Sequence, residues 1–118
     1  MKTFISRFLA AGTLLAAASC SQAPLETSLK EAYSESFMIG CAVNPMHTSG
    51  RLSQANELIL EHFNAISPEN CLKPEAVQPQ PGVWTFEEAD EYVAFGQEHG
   101  LWMLGHTLVW HNQTPSFY

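Results

Sequence analysis

The chain has 118 residues, of which 46% are hydrophobic and 14% charged, with 7 Gly and 7 Pro. That composition supplies a core and excludes disorder driven by polarity, and the length admits one domain at most. Five basic residues against 12 acidic ones give a formal net charge of -7 with no cluster of Lys or Arg, which argues against a nucleic-acid or anionic-membrane binding surface.

Lys2 and Arg7 precede an apolar run over residues 8–18. The run is too short to span a bilayer and has the length of a signal-peptide core. Ala17, Ala18 and Ser19 then stand directly before Cys20, a pattern that resembles the lipobox of bacterial lipoproteins, although that pattern prefers Leu where Ala17 stands. The resemblance implies removal of residues 1–19 and lipidation of Cys20, giving several acyl chains and a firm anchor. Cleavage nearby with plain secretion is the other reading. Ser21, in place of an Asp, points to the outer membrane, with the leaflet open. Removing residues 1–19 takes away two basic charges and no acidic ones, so neutral polymers suit the exported chain better than acidic ones. Residues 20–36 are expected to be the lipidated cysteine and a flexible tether, with at most one short helix around 29–33.

The folded part is expected over residues 37–118. The apolar run 37–43 predicts a parallel strand covered on both faces, ended by Asn44-Pro45. Ser53 is placed to cap a helix whose buried face carries Ala55, Leu58, Ile59 and His62 or Phe63. Residues 65–67 predict a second strand running into Pro68-Glu69-Asn70, followed by a Pro- and Gly-rich loop over 74–83. Thr85 and Glu88 have capping-box spacing. The helix behind them places Phe86, Ala89, Val93 and Gly96 on one face and ends at Gly100. Residues 101–110 return to a buried-strand pattern. Strand, helix, strand, helix, strand is the beginning of an α/β fold. Cys41 and Cys71 are expected as free buried thiols, with a disulfide as the other possibility.

In α/β barrels ligands bind at the carboxyl ends of the strands. Here those ends carry Asn44 and His47, then Glu69, Asn70 and Lys73, then His106, Trp110, His111 and Gln113. A carboxylate, an amide and an ammonium within five residues offer donors and acceptors that suit the hydroxyl pattern of a sugar, and Trp110 offers an apolar face for a pyranose ring. Duller readings stand beside these. Glu69 and Lys73 could form a surface ion pair of little worth, His106 could be a hydrogen-bonded core histidine, and Trp84 and Trp102 read as packing residues. His106 and His111, five apart on a strand, point to opposite faces and make no metal site.

The strings Pro68-Glu69-Asn70-Cys71-Leu72-Lys73-Pro74-Glu75, Pro81-Gly82-Val83-Trp84-Thr85-Phe86 and Gly105-His106-Thr107-Leu108-Val109-Trp110-His111-Asn112-Gln113-Thr114-Pro115 resemble the N-terminal third of glycoside hydrolase family 10, the endo-1,4-β-xylanases. The resemblance implies the first three β/α units of a TIM barrel that cleaves xylan with retention of configuration, through two glutamates about 5 Å apart on later strands. It implies no cofactor, no metal and no protein partner. By matching position, Glu69, Asn70, Lys73 and Gln113 are expected to bind xylose hydroxyls on the glycone side, His106 and Trp110 to touch the reacting sugar, and His111 to orient its neighbours. The family usually has Glu-Met where Cys71-Leu72 stand and an Arg where Leu104 stands.

A complete barrel takes ~250 residues, so this chain reads as a fragment without the catalytic pair, inactive by itself. A strand reaching Val109 would leave an apolar edge unpaired. The other classes kept open are a lipid-anchored glycan-binding protein that has lost catalysis and an inactive gene remnant.

Overall fold

A computed structural model describes residues 27–118. The expected signal segment and Cys20 lie outside the described residues. Eight elements follow in order: α1 (Leu29–Ala32), β1 (Gly40–Val43), α2 (Pro45–Thr48), α3 (Ser53–His62), β2 (Ala65–Pro68), α4 (Pro74–Val77), α5 (Glu87–Glu98) and β3 (Trp102–Met103). The strands form one parallel sheet in the order β1-β2-β3, with Gly40 opposite Ala65 and Ala65 opposite Trp102. Strand and helix alternate as parallel pairing requires, because each crossover must return the chain to the same end of the sheet.

Asn64 ties the amino end of the sheet together. Its side-chain oxygen accepts from the Ile39 N–H at 2.9 Å, and its carbonyl accepts from the Trp102 N–H at 2.9 Å. The core lies on one side of the sheet, where Cys41, Val43, Ile66 and Met103 meet Ile59, Leu60 and Phe63 of the α3 end and Tyr92 and Phe95 of α5. The opposite side presents Gly40, Ala42, Ala65, Ser67, Trp102 and Leu104 around an open concavity, and Trp102 is 52% exposed. The expectation that β1 is covered on both faces is therefore corrected: helices cover one face only.

Several local expectations shift. The one short helix allowed around 29–33 is α1, which Ser28 and Glu31 close with a reciprocal capping box and which is docked in place of the expected flexible tether. The Ser28 hydroxyl and backbone N–H hold the Glu31 carboxyl below its usual range. This helix is docked on α3, where the Lys30 ammonium donates to the Leu60 carbonyl at 2.6 Å, a cation at the negative end of a helix. Ser53 is the first helical residue of α3 rather than its cap, and Leu58 is exposed while Leu60 takes its place against the core. Thr85 and Glu88 form no capping box: Phe86 is the N-cap of α5, and the Thr85 hydroxyl donates to the Ala76 carbonyl instead. Within the expected loop 74–83 lies the short helix α4.

The buried face of α5 is Ala89, Tyr92, Phe95 and Gly96, so Tyr92 and Phe95 take the places expected for Phe86 and Val93. The helix closes on Gly100 at φ 63°. The Leu101 N–H donates to the Gly96 carbonyl at 2.9 Å and the Gly100 N–H to the Gln97 carbonyl at 3.3 Å, the pair of bonds that defines a Schellman end. The strand expected to run to residue 110 is paired only at Trp102–Met103. Beyond it Leu108 and Val109 are 94% and 87% exposed, so the apolar pattern there belongs to a loop. Trp84, expected to be packed, is exposed and stacks on Phe86 with ring centroids 5.9 Å apart. Cys41 and Cys71 are free thiols on the core side; burial raises the pKa of both, with Glu88 adding to the rise at Cys71, which keeps them poor nucleophiles.

Two expectations about stability follow from this packing. A Cβ at Gly96 would collide with Met103 Sδ and lie 2.6 Å from its Cγ. Gly96→Ala should then cost about 1 kcal/mol net, an overpacking penalty larger than the gain in helix propensity, and urea unfolding should show the cost vanish in a Met103→Ala background. Burial pushes the Tyr92 phenol up to about 12, against about 10 in an unfolded chain. The fold favours the neutral form, so this contribution is complete below about pH 10 and is lost as pH rises toward 12. Urea midpoints should fall across that window, and less steeply in Tyr92→Phe.

Candidate functional site

The site is built where β1, β2 and β3 end. Asn44 leaves β1 as the N-cap of α2, its side-chain oxygen accepting from the Met46 N–H at 3.1 Å while His47 completes a capping box. The asparagine is thereby oriented, and its amide donates to the Glu69 carboxylate at 3.2 Å. Two adjacent strand ends are joined by that bond. The Glu69 N–H in turn donates to the Val43 carbonyl at 2.9 Å, which carries the β1–β2 ladder into the site.

Lys73 is 7% exposed. Its ammonium donates to Asn70 Oδ1 at 2.8 Å and lies 4.6 Å from the centroid of the Trp110 ring. A buried cation needs partners; here an amide oxygen and an indole face serve, the latter worth on the order of 0.5–2 kcal/mol. The expected Glu69–Lys73 ion pair is not how these groups are satisfied, since Glu69 turns to Asn44 and Lys73 to Asn70. A lysine ammonium has three protons, and Asn70 takes one.

His106 and Trp110 are brought together with ring centroids 6.0 Å apart, and His111 stands edge-on to Trp110 at 5.3 Å. His106 is exposed, so the core-histidine reading is set aside. Gln113 is at φ 49°, and its backbone reaches the site's other half: its carbonyl accepts from the Glu75 N–H at 2.9 Å, satisfying one of the free donors at the start of α4. The Thr107 N–H donates to the Leu72 carbonyl at 3.2 Å. Loops after β2 and β3 are thus laced together, and Glu69, Asn70, Lys73, His106, Trp110 and Gln113 all belong to this one region. An apolar hollow of about 330 Å³ adjoins it, lined by Leu72, Val77, Trp84, Phe86, Leu108 and Tyr118 among others. Among the described residues no group of three or more His, Cys, Asp or Glu is placed to hold a metal ion.

One important residue escaped sequence reasoning. Tyr92 is 2% exposed, and its hydroxyl lies 2.8 Å from the Ile66 carbonyl and 3.1 Å from that of Leu104. The available signal was its place three residues after Ala89 and three before Phe95, on the face that the fold buries.

Parallel strands that present polar and aromatic side chains at their carboxyl ends, with helices packed on one face, define a segment of a β/α barrel. The chain belongs to glycosyl hydrolase family 10, whose model matches residues 28–118. It is 43% identical over 91 residues to endo-1,4-beta-xylanase A of Halalkalibacterium halodurans, covering 77% of this chain and 22% of that protein. It is 47% identical over 90 residues to endo-1,4-beta-xylanase B of Paenibacillus barcinonensis, covering 76% and 26%. Among solved structures, a family 10 endoxylanase from a sugarcane soil metagenome superposes with a TM-score of 0.71 at 42% identity, over 76% of this chain and 27% of that one. A mutant solved in complex with xylotriose gives 0.70 at 38% identity, over 77% and 27%. This chain spans about a quarter of the length of these relatives. The family and the partial barrel expected from the sequence are borne out.

Because Asn44 both caps α2 and holds Glu69, Asn44→Ala should lower stability by about 1 kcal/mol. Asn44→Ser, which keeps a cap acceptor without the amide donor, should recover most of that loss in urea unfolding.

Proposed function

We propose that this chain forms the glycone-side wall of the cleft of an endo-1,4-β-xylanase, which hydrolyses internal β-1,4-xylosidic bonds of xylan with retention. The observation that carries the reading is the joined cluster of Asn70, Lys73 and Trp110, with Glu69 held beside it by Asn44. It offers a carboxylate acceptor, two remaining ammonium protons and an indole face within one wall, the combination that a pyranose with equatorial hydroxyls requires. Family membership and the relatives' printed activities support the substrate class, and the xylotriose complex of a 38% identical structure supports xylo-oligosaccharides as ligands.

In this reading Glu69, Asn70, Lys73 and Gln113 hold sugar hydroxyls on the glycone side. His106 and Trp110 touch the sugar that reacts, and His111 orients Trp110. The nucleophile and the acid/base, two carboxylates about 5 Å apart, are supplied by glutamates outside these residues. Glu69 is a binding group: its carboxylate accepts from the Asn44 amide at 3.2 Å and keeps further lone pairs for a sugar hydroxyl. We also assign residues 1–19 to a lipoprotein leader and Cys20 to the lipidated residue that follows it, an assignment that points to the outer membrane.

Xylotriose titrated into the 118-residue chain should bind, and Lys73→Ala or Trp110→Ala should weaken it by about tenfold. Calorimetry or chemical-shift titration reads this, and equal affinity in both variants would overturn the site. Xylan incubated with the chain should release no reducing sugar; release would place the catalytic pair within it. For the leader, Cys20→Ser should move the exported protein from the membrane fraction to the soluble one, and unchanged partition would refute lipidation.

A further inference from the structure

β3 is held to β2 by a short parallel ladder, in which each N–H and C=O of one strand brackets a residue of its neighbour. The Trp102 N–H donates to the Asn64 carbonyl and the Leu104 N–H to the Ile66 carbonyl, both at 2.9 Å. With Ile66 opposite Met103, the register sets Leu104 opposite Ser67. The Leu104 carbonyl is then due an N–H from the residue after Ser67. That residue is Pro68, which has none. A strand-end carbonyl that loses its ladder donor is left as a free acceptor.

The donor comes from a helix. Tyr92 of α5 brings its hydroxyl to 3.1 Å from the Leu104 carbonyl and 2.8 Å from the Ile66 carbonyl, so one proton spans the place where the ladder fails. We propose that the Tyr92 hydroxyl substitutes for the absent Pro68 N–H and is the positioning residue that fixes how the chain leaves β3 toward His106 and Trp110. Leu104 is two residues before His106. The next backbone anchor is the Thr107 N–H on the Leu72 carbonyl, and Trp110 then lies over the Lys73 ammonium. Without the tyrosine proton, the first of these anchors keeps only the Leu104 N–H bond, and the segment bearing both aromatic rings can swing about Gly105. Burial keeps the phenol protonated, and therefore a donor, far above neutral pH. The functional meaning of this positioning rests on the xylanase-cleft reading above; the substitution of hydroxyl for amide stands on the backbone register.

The test is a cycle in the 118-residue chain: parent, Tyr92→Phe, Pro68→Ala and the double variant, the alanine at 68 restoring a backbone N–H where the ladder calls for one. The readouts are the Leu104 carbonyl ¹³C resonance, the Trp110 indole N–H resonance and amide exchange at Thr107. Tyr92→Phe should move both resonances and speed Thr107 exchange by on the order of tenfold, and adding Pro68→Ala should return all three toward the parent. A merely space-filling tyrosine predicts no such rescue, and unmoved resonances or an effect independent of residue 68 overturns the proposal. Should Tyr92→Phe fail to fold, a folded double variant supports the proposal and an unfolded one overturns it. Absence of xylotriose binding by the parent would fell the xylanase reading alone, because these resonances report on Tyr92 without ligand.

Discussion

The strand Ala65–Pro68 has a parallel partner on each edge, and the rest of the described chain is hung from that double pairing. Its amino end is anchored by Asn64, which bonds the approach to β1 and the start of β3. Its carboxyl end runs without a break into Glu69, Asn70 and Lys73. Any slip of register would carry Ser67 from the open side to the core and Ile66 from the core to the open side, because side chains alternate along a strand. The core cluster around Ile66, which includes Cys71 between Asn70 and Lys73, therefore holds the site residues in place from below.

Elements with a long apolar period were legible in the sequence. Both long helices and the starts of β2 and β3 lie where pattern and breakers put them, β1 begins three residues later than its apolar run, and Gly100 ends α5 as its position after the last turn suggests. What was not legible depends on partners distant in sequence. Thr85 has the spacing of a capping residue, but the Ala76 carbonyl competes for its hydroxyl. Residues 104–110 have the composition of a strand, yet the ladder stops at Met103 because the neighbouring strand has reached its proline. The role of Tyr92 is illegible for the same reason: a phenol on an apolar helix face gives no local hint that a carbonyl twelve residues on lacks a donor.

The site shows the same division. Residue types at strand ends sufficed to name Glu69, Asn70, Lys73, His106, Trp110 and Gln113, since a β/α sheet sends its carboxyl ends to one side. The pairing among them could not be read. Opposite charges four residues apart suggest an ion pair, whereas the fold separates them, giving Glu69 to an amide on the preceding strand and Lys73 to an amide and an aromatic face. A cation kept from direct contact with a carboxylate retains more of its field for a neutral ligand, and a carboxylate engaged by one amide retains further lone pairs as acceptors.

The bond from the Glu75 N–H to the Gln113 carbonyl joins two loops that descend from different strands. With the Thr107–Leu72 bond, it makes the wall beside Lys73 and Trp110 a single piece. A ligand meeting such a wall orders few additional torsions, so the entropy of immobilising protein groups is already settled when the chain folds. Selectivity then comes from misfit: a sugar whose hydroxyls point elsewhere finds donors and acceptors that do not follow it.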